Sequence, residues 1–191
     1  VIVRWRRQMC IRASLKIKYG IKDKFLLFVG TLEPRKNLSF LLKVFSKLLE
    51  SRHDVQLVIV GARGWKNSDI SKIVMSDKGL RENAIFTGYV SNEDLVALYN
   101  IADVLVSTSL NEGLGLPQLE AIFCGCPVVT AHNSAMIETT EGRGVTDKGW
   151  DIDIWVKSIN NDLNSDRATF YEGNKDMQDY QWENISAGMV K

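Results

Sequence analysis

The chain has 191 residues, of which 45% are hydrophobic and 25% charged, the balance of one globular domain with a sizeable core. A formal net charge of +1 gives no general attraction for nucleic acid or for strongly acidic partners. No apolar run approaches the ~20 residues needed to cross a bilayer, and the N-terminal residues lack the apolar core of a signal peptide, so a cytoplasmic protein is expected.

The first residues are locally basic. From Arg4 to Lys24 there are eight Lys or Arg residues opposed only by Asp23, interleaved with Trp5, Ile11, Leu15 and Tyr19. A solvated helix or the remnant of a linker over residues 1–22 is expected ahead of a docking arm, although such a stretch would also suit peripheral association with the inner face of the cytoplasmic membrane. Three cysteines, Cys10, Cys124 and Cys126, make neither a disulfide framework nor a metal set, and small buried thiols are expected.

From Phe25 the chain alternates short apolar, β-branched runs with helical periods. "FLLFVG" (Phe25 to Gly30) reads as a strand and "NLSFLLKVFSKLLE" as a helix whose Leu38, Leu41, Leu42, Phe45, Leu48 and Leu49 form one stripe. "VQLVIVG" (Val55 to Gly61) is the next strand, followed by a helix near Asp69 to Lys78 that Gly79 would close. "AIFTGYV" precedes a helix that Ser91 would cap, and "DVLVS" and "PVVTA" bracket a helix beginning near Pro117. After Glu138 the pattern weakens to a short strand at Gly144 to Thr146, a helix over "DIDIWVKSINNDL" and polar helices beyond.

Strands that are apolar throughout are buried on both faces, as in a parallel sheet covered by helices. Five of them with intervening helices predict a doubly wound, Rossmann-like α/β sheet over residues 23–191. Ligands then bind beyond the carboxyl ends of the strands, which directs attention to the segments just after them.

The most informative of these is "NEGLGLPQLEAIFCGCPVV", Asn111 to Val129. Pro117 suits the first turn of a helix, where its missing N–H has no intrahelical partner. Gly113 and Gly115 let the backbone approach a ligand closely, and free amides at a helix N-terminus favour an anion, so Gly113, Leu114, Gly115 and Leu116 form a candidate phosphate cradle. Glu112 before the cradle and Glu120 after it could accept from vicinal hydroxyls, one from a sugar and one from a ribose. "GTLEPRKN" places Arg35 and Lys36 beyond the first strand, at the start of the following helix, where they would stabilise a diphosphate leaving group. The pattern describes a site for a nucleotide sugar.

"FVGTLEPRKN", "VIVG", "FTGYV", "LYNIADV" and above all "NEGLGLPQLEAIFCGCPVV" resemble the C-terminal, donor-binding domain of retaining glycosyltransferases of the GT-B fold, in the group 1 family carrying an E-x7-E motif. "YQWENISAG" is similar to that family's closing segment. The resemblance implies one half of a GT-B fold, catalytic or charge-stabilising roles for Lys36, Arg35 and Glu112, and donor contacts from Gly30, Thr31, Val90, Gly113, Leu114, Gly115, Leu116 and Glu120. Glu112 would hold sugar hydroxyls, Glu120 the ribose, and Val90 would border the base. It further implies transfer with retention, no catalytic metal and no cofactor, with a GDP- or UDP-linked sugar as substrate and GDP-mannose ahead of UDP-sugars. The acceptor would be a polysaccharide or lipid-linked glycan, recognised by an N-terminal domain outside this chain. Thr31 stands where many members have Arg and Leu114 where they often have Phe.

Two other readings compete. The chain could be a nucleotide-sugar binding module without independent catalysis. A dinucleotide-dependent oxidoreductase on the same sheet would need Gly-x-Gly-x-x-Gly after the first strand, which "VGTLEPRKN" lacks.

Overall fold

The computed structural model describes residues 13–22, 24–62, 64, 68–140, 145–147 and 149–165. Cys10, Trp65, Lys66, most of the basic stretch and "YQWENISAG" lie outside them. A helix over residues 13–19 (α1) leads to β1 (Lys24–Val29), a 3-10 turn at Pro34–Lys36, α2 (Leu38–Leu49) and β2 (Val55–Val60). Then come α3 (Ser68–Ser76), α4 (Lys78–Asn83), β3 (Ala84–Gly88), α5 (Asn92–Ile101) and β4 (Val104–Ser107). The series ends with α6 (Leu116–Phe123), β5 (Val128–Ala131), α7 (Ser134–Thr140), β6 (Val145–Asp147) and α8 (Ile152–Asn164).

The strands form one six-stranded sheet in the order β3-β2-β1-β4-β5-β6. Every neighbouring pair is parallel. Alternate side chains of each central strand enter different cores, which is the doubly wound arrangement expected from the apolar runs. Leu26 and Phe28 of β1, Leu57 and Ile59 of β2, and Val104 and Val106 of β4 pack with α2, α4 and α8. Phe25, Leu27, Val58 and Leu105 pack on the other face with α1, α5 and α6. Leu15 and Ile21, from the basic N-terminal stretch, belong to this second core and are 3% and 5% exposed. Lys18 pairs with Asp94 of α5, and the Tyr19 hydroxyl donates to the same carboxylate.

Two local expectations meet the structure differently. Gly79 does not close a helix over 69–78. Asp77 ends α3 and caps α4, its carboxylate accepting from the Leu80 amide at 3.1 Å and from the Ser46 hydroxyl. An Asp side chain that captures the amide three residues on starts a new helix, and this outweighs the stop signal of the glycine. Arg35 and Lys36 lie in a separate 3-10 turn rather than in α2, because Asn37 at φ 51° breaks the two apart. The expected short strand is present as Val145–Asp147, and Gly144, where it was expected to begin, lies outside the described residues. Ser91 caps α5 as expected, accepting from the Asp94 amide at 3.2 Å. Cys126 is buried and Cys124 partly so, in keeping with packing thiols.

Asp77→Ala should lower the unfolding free energy by about 1 kcal/mol through loss of the α4 cap. Urea unfolding checks this, and a midpoint equal to the parent's would show that the cap contributes nothing.

Candidate active site

β1 and β4 are neighbours, but the chain leaves β1 toward α2 on one face and β4 toward α6 on the other. Two loops therefore diverge from adjacent strand ends and leave a crevice between them, the switch point at which open α/β sheets bind ligands. The first loop carries Thr31, Arg35 and Lys36, and the second carries Glu112 and the Gly113–Leu116 turn.

Main-chain bonds stitch the loops together. The Leu110 amide donates to the Arg35 carbonyl at 2.9 Å, and the Arg35 guanidinium returns a bond to the Asn111 carbonyl at 2.8 Å. Thr108, fully buried just beyond β4, donates its hydroxyl to the carbonyls of Lys36 and Asn37, at 3.1 Å each. That places the 3-10 turn, and with it both cations, against the end of β4.

Glu112 closes the crevice. One carboxylate oxygen accepts from the Arg35 guanidinium at 2.7 Å and the other from the Lys36 ammonium. The Lys36 and Glu112 side chains are only 11% and 10% exposed, whereas Arg35 is 46% exposed. Arg35 also reaches Glu33 at 2.7 Å, so two cations face two carboxylates and the cluster is balanced. Arg and Lys keep donors to spare after these bonds and can receive a further anion.

Burial by itself would raise the Glu112 pKa. The hydrogen bonds from Lys36 and Arg35 outweigh it and hold the carboxyl below its ordinary 4.5. The same partnership, with Glu112 first and Glu33 second, raises Arg35 against the opposing effect of burial.

Two glycines have steric roles. The Lys36 stem crosses Gly30 so closely that a Cβ there would sit 3.1 Å from Cε, so a larger residue would require the stem to shift. Gly115 adopts φ 72° as the residue before α6, a conformation that L side chains rarely take. Pro117 occupies the first turn, as expected. Gly113 is open, Leu114 and Leu116 are more than half exposed, and the Thr139 hydroxyl ties down the Leu114 carbonyl. The buried Gln118 amide donates to the Ser107 hydroxyl at 2.6 Å, fixing the start of α6 to the end of β4.

Glu120 lies on the exposed side of α6 and accepts from the Tyr99 hydroxyl at 2.7 Å. Val90 follows β3 and is 6% exposed, its side chain packed within the second core. Thr31 is exposed beyond Gly30. Arg35 brings its guanidinium to Glu112, which supplies a second cation to the crevice although position 31 carries none. Among the described residues no group of three or more His, Cys, Asp or Glu side chains could hold a metal ion. Thr108 and Tyr99 escape the sequence argument: Thr108 lies in a plain "STS" run, and Tyr99 reads as one more apolar position of α5.

A sequence model of the glycosyl transferases group 1 family matches residues 12–172, and the chain belongs to that family. It is similar to the O-antigen chain mannosyltransferase B of Escherichia coli, with 35% identity over 171 residues covering 87% of this chain and 44% of the relative. It is 28% identical over 194 residues to the GDP-mannose-dependent alpha-(1-6)-phosphatidylinositol monomannoside mannosyltransferase of Mycolicibacterium smegmatis, covering 94% of this chain and 50% of that one. Its fold matches the Anabaena HepE structure in complex with UDP and glucose at a TM-score of 0.80 and 19% identity, over 95% of this chain and 52% of that one. The chain thus spans about half the length of these relatives, and the sheet is that of the GT-B glycosyltransferases.

A carboxyl whose folded pKa is depressed stabilises the fold above its unfolded pKa and loses that contribution as pH falls through the folded value. Denaturant titrations from neutrality down to about pH 3 should therefore show Glu112→Gln losing less stability on acidification than the parent. Equal losses would show that the carboxylate is not anchored by the two cations.

Proposed function

We propose that this chain is the donor-binding half of a retaining glycosyltransferase that takes a hexose from a nucleoside diphosphate sugar. The observation that carries this reading is the convergence of Lys36, Arg35 and Glu112 from the ends of β1 and β4, beside the glycine turn that opens α6. As the bond to the sugar breaks, negative charge grows on the diphosphate. Fixed cations in a partly dehydrated crevice stabilise that charge more than the ground state. Lys36 and Arg35 supply it, and the amides of Gly113 to Leu116 add donors near the helix N-terminus.

Glu112 keeps the two cations oriented and accepts from donor-sugar hydroxyls, while Glu120 accepts from the ribose. The donor needs no cofactor or metal from the protein, and its own phosphate assists deprotonation of the acceptor hydroxyl. Residues 23–191 constitute the donor domain, with Leu15 and Ile21 of the preceding segment packed into its second core, and that segment joins it to an acceptor-binding domain outside this chain. Mannosyltransferases among the relatives favour GDP-mannose as donor and a polysaccharide or lipid-linked glycan as acceptor. By itself the chain binds the donor with little or no turnover.

Calorimetric titration with GDP, UDP and ADP should show one base preferred, and Lys36→Ala should weaken that nucleotide by about tenfold or more. Glu112→Ala should cut the preference for the sugar-linked nucleotide over the free diphosphate, since it removes the acceptor for sugar hydroxyls. Undiminished affinity in both variants, with native thermal unfolding, would overturn the assignment.

A further inference from the structure

Glu120 is exposed, and an exposed glutamate with no fixed partner has rotational freedom that a ligand would have to quench. Its partner is of the opposite character. Tyr99 stands in the last turn of α5 with its ring 1% exposed, in a core that includes Val90, Leu98, Ala121 and Ile122. A ring packed on all sides has one orientation, so its hydroxyl has one position. That hydroxyl donates to Glu120 Oε2 at 2.7 Å, across the junction between α5 and α6. Burial first, and the Glu120 carboxylate second, push the phenol far above its ordinary 10.0, so it remains a donor at any working pH.

An ionised carboxylate offers about four acceptor positions, and the phenol occupies one of them. The others stay available, with one of the two oxygens anchored from the core side. Vicinal hydroxyls bind best to a carboxylate whose two oxygens are already oriented toward them.

From this geometry we infer that Tyr99 is a positioning residue: its buried ring and hydroxyl hold Glu120 oriented for the vicinal hydroxyls of a nucleotide ribose. The inference rests on the reading of Glu120 as the ribose acceptor. Tyr99 does not touch the nucleotide. It acts through Glu120, so its influence is confined to ligands that carry the ribose hydroxyls.

That confinement separates positioning from packing. The 191-residue chain is titrated calorimetrically with GDP and 2′,3′-dideoxy-GDP, and with the UDP pair in parallel. The parent should prefer the ribose form of its nucleotide by about tenfold. Tyr99→Phe keeps the ring and should weaken the ribose form by about fivefold while leaving the dideoxy form unchanged. Tyr99→Phe combined with Glu120→Ala should bind no more weakly than Glu120→Ala alone. A Tyr99→Phe chain that discriminates as well as the parent, or that loses both forms equally, would overturn the inference and leave Glu120 as ribose acceptor. A parent that binds both forms equally, or neither, would overturn the ribose role itself and the inference with it.

Discussion

The chain leaves the adjacent parallel strands β1 and β4 toward opposite faces of the sheet, and every feature of the site depends on that divergence. It follows from burial. Each strand alternates its apolar side chains between two cores, so both faces must be covered, and helices must depart in both directions. Where the direction changes, two loops separate and no helix fills the gap. The crevice is thus a consequence of covering the sheet, made before any polar residue is considered.

Polar residues then convert the gap into a site. Leaving a crevice lined by Lys36 and Arg35 without a counter-charge would set two cations close together, one of them largely dehydrated. Glu112 resolves this by giving one oxygen to each, and the buried Thr108 fixes the backbone that carries them. An exposed ion pair contributes roughly 0–1 kcal/mol, whereas removing one partner of a buried pair costs about 3–5 kcal/mol because the other charge is stranded. Lys36 with Glu112 lies toward the buried end of that range, and Arg35 toward the exposed end. The arrangement therefore holds both cations in place while leaving each with donors that Glu112 does not use. The second glutamate is treated differently. It is left exposed and held from behind by a core tyrosine.

Most of the fold was legible because its signal is repetitive. Apolar runs such as "VQLVIV" can be satisfied only by burial on both faces, and the helices between them carry clear stripes. The split at Asp77 was not legible, since the capping carboxylate and the glycine that follows give opposing signals and only the tertiary contact with Ser46 decides between them. At the site, residue types and loop positions were legible, including Arg35, Lys36, Glu112, Glu120 and the Gly113–Leu116 turn. Their pairing was not, because Arg35 and Glu112 are 77 residues apart and a sequence does not state which strand ends meet. Thr108 and Tyr99 were missed for a related reason. Each looks like an ordinary strand-end or helix residue until the partner across the junction is known.

Glu112 joins the ends of β1 and β4 through Lys36 in one charged unit. A double-mutant cycle with Lys36→Met, Glu112→Gln and both together, read as unfolding free energies in urea, tests it directly. A favourable coupling above about 1 kcal/mol is expected, beyond what exposed ion pairs supply. Single effects that add to within about 0.3–0.5 kcal/mol would contradict it, leaving the two side chains as neighbours without a bond that matters.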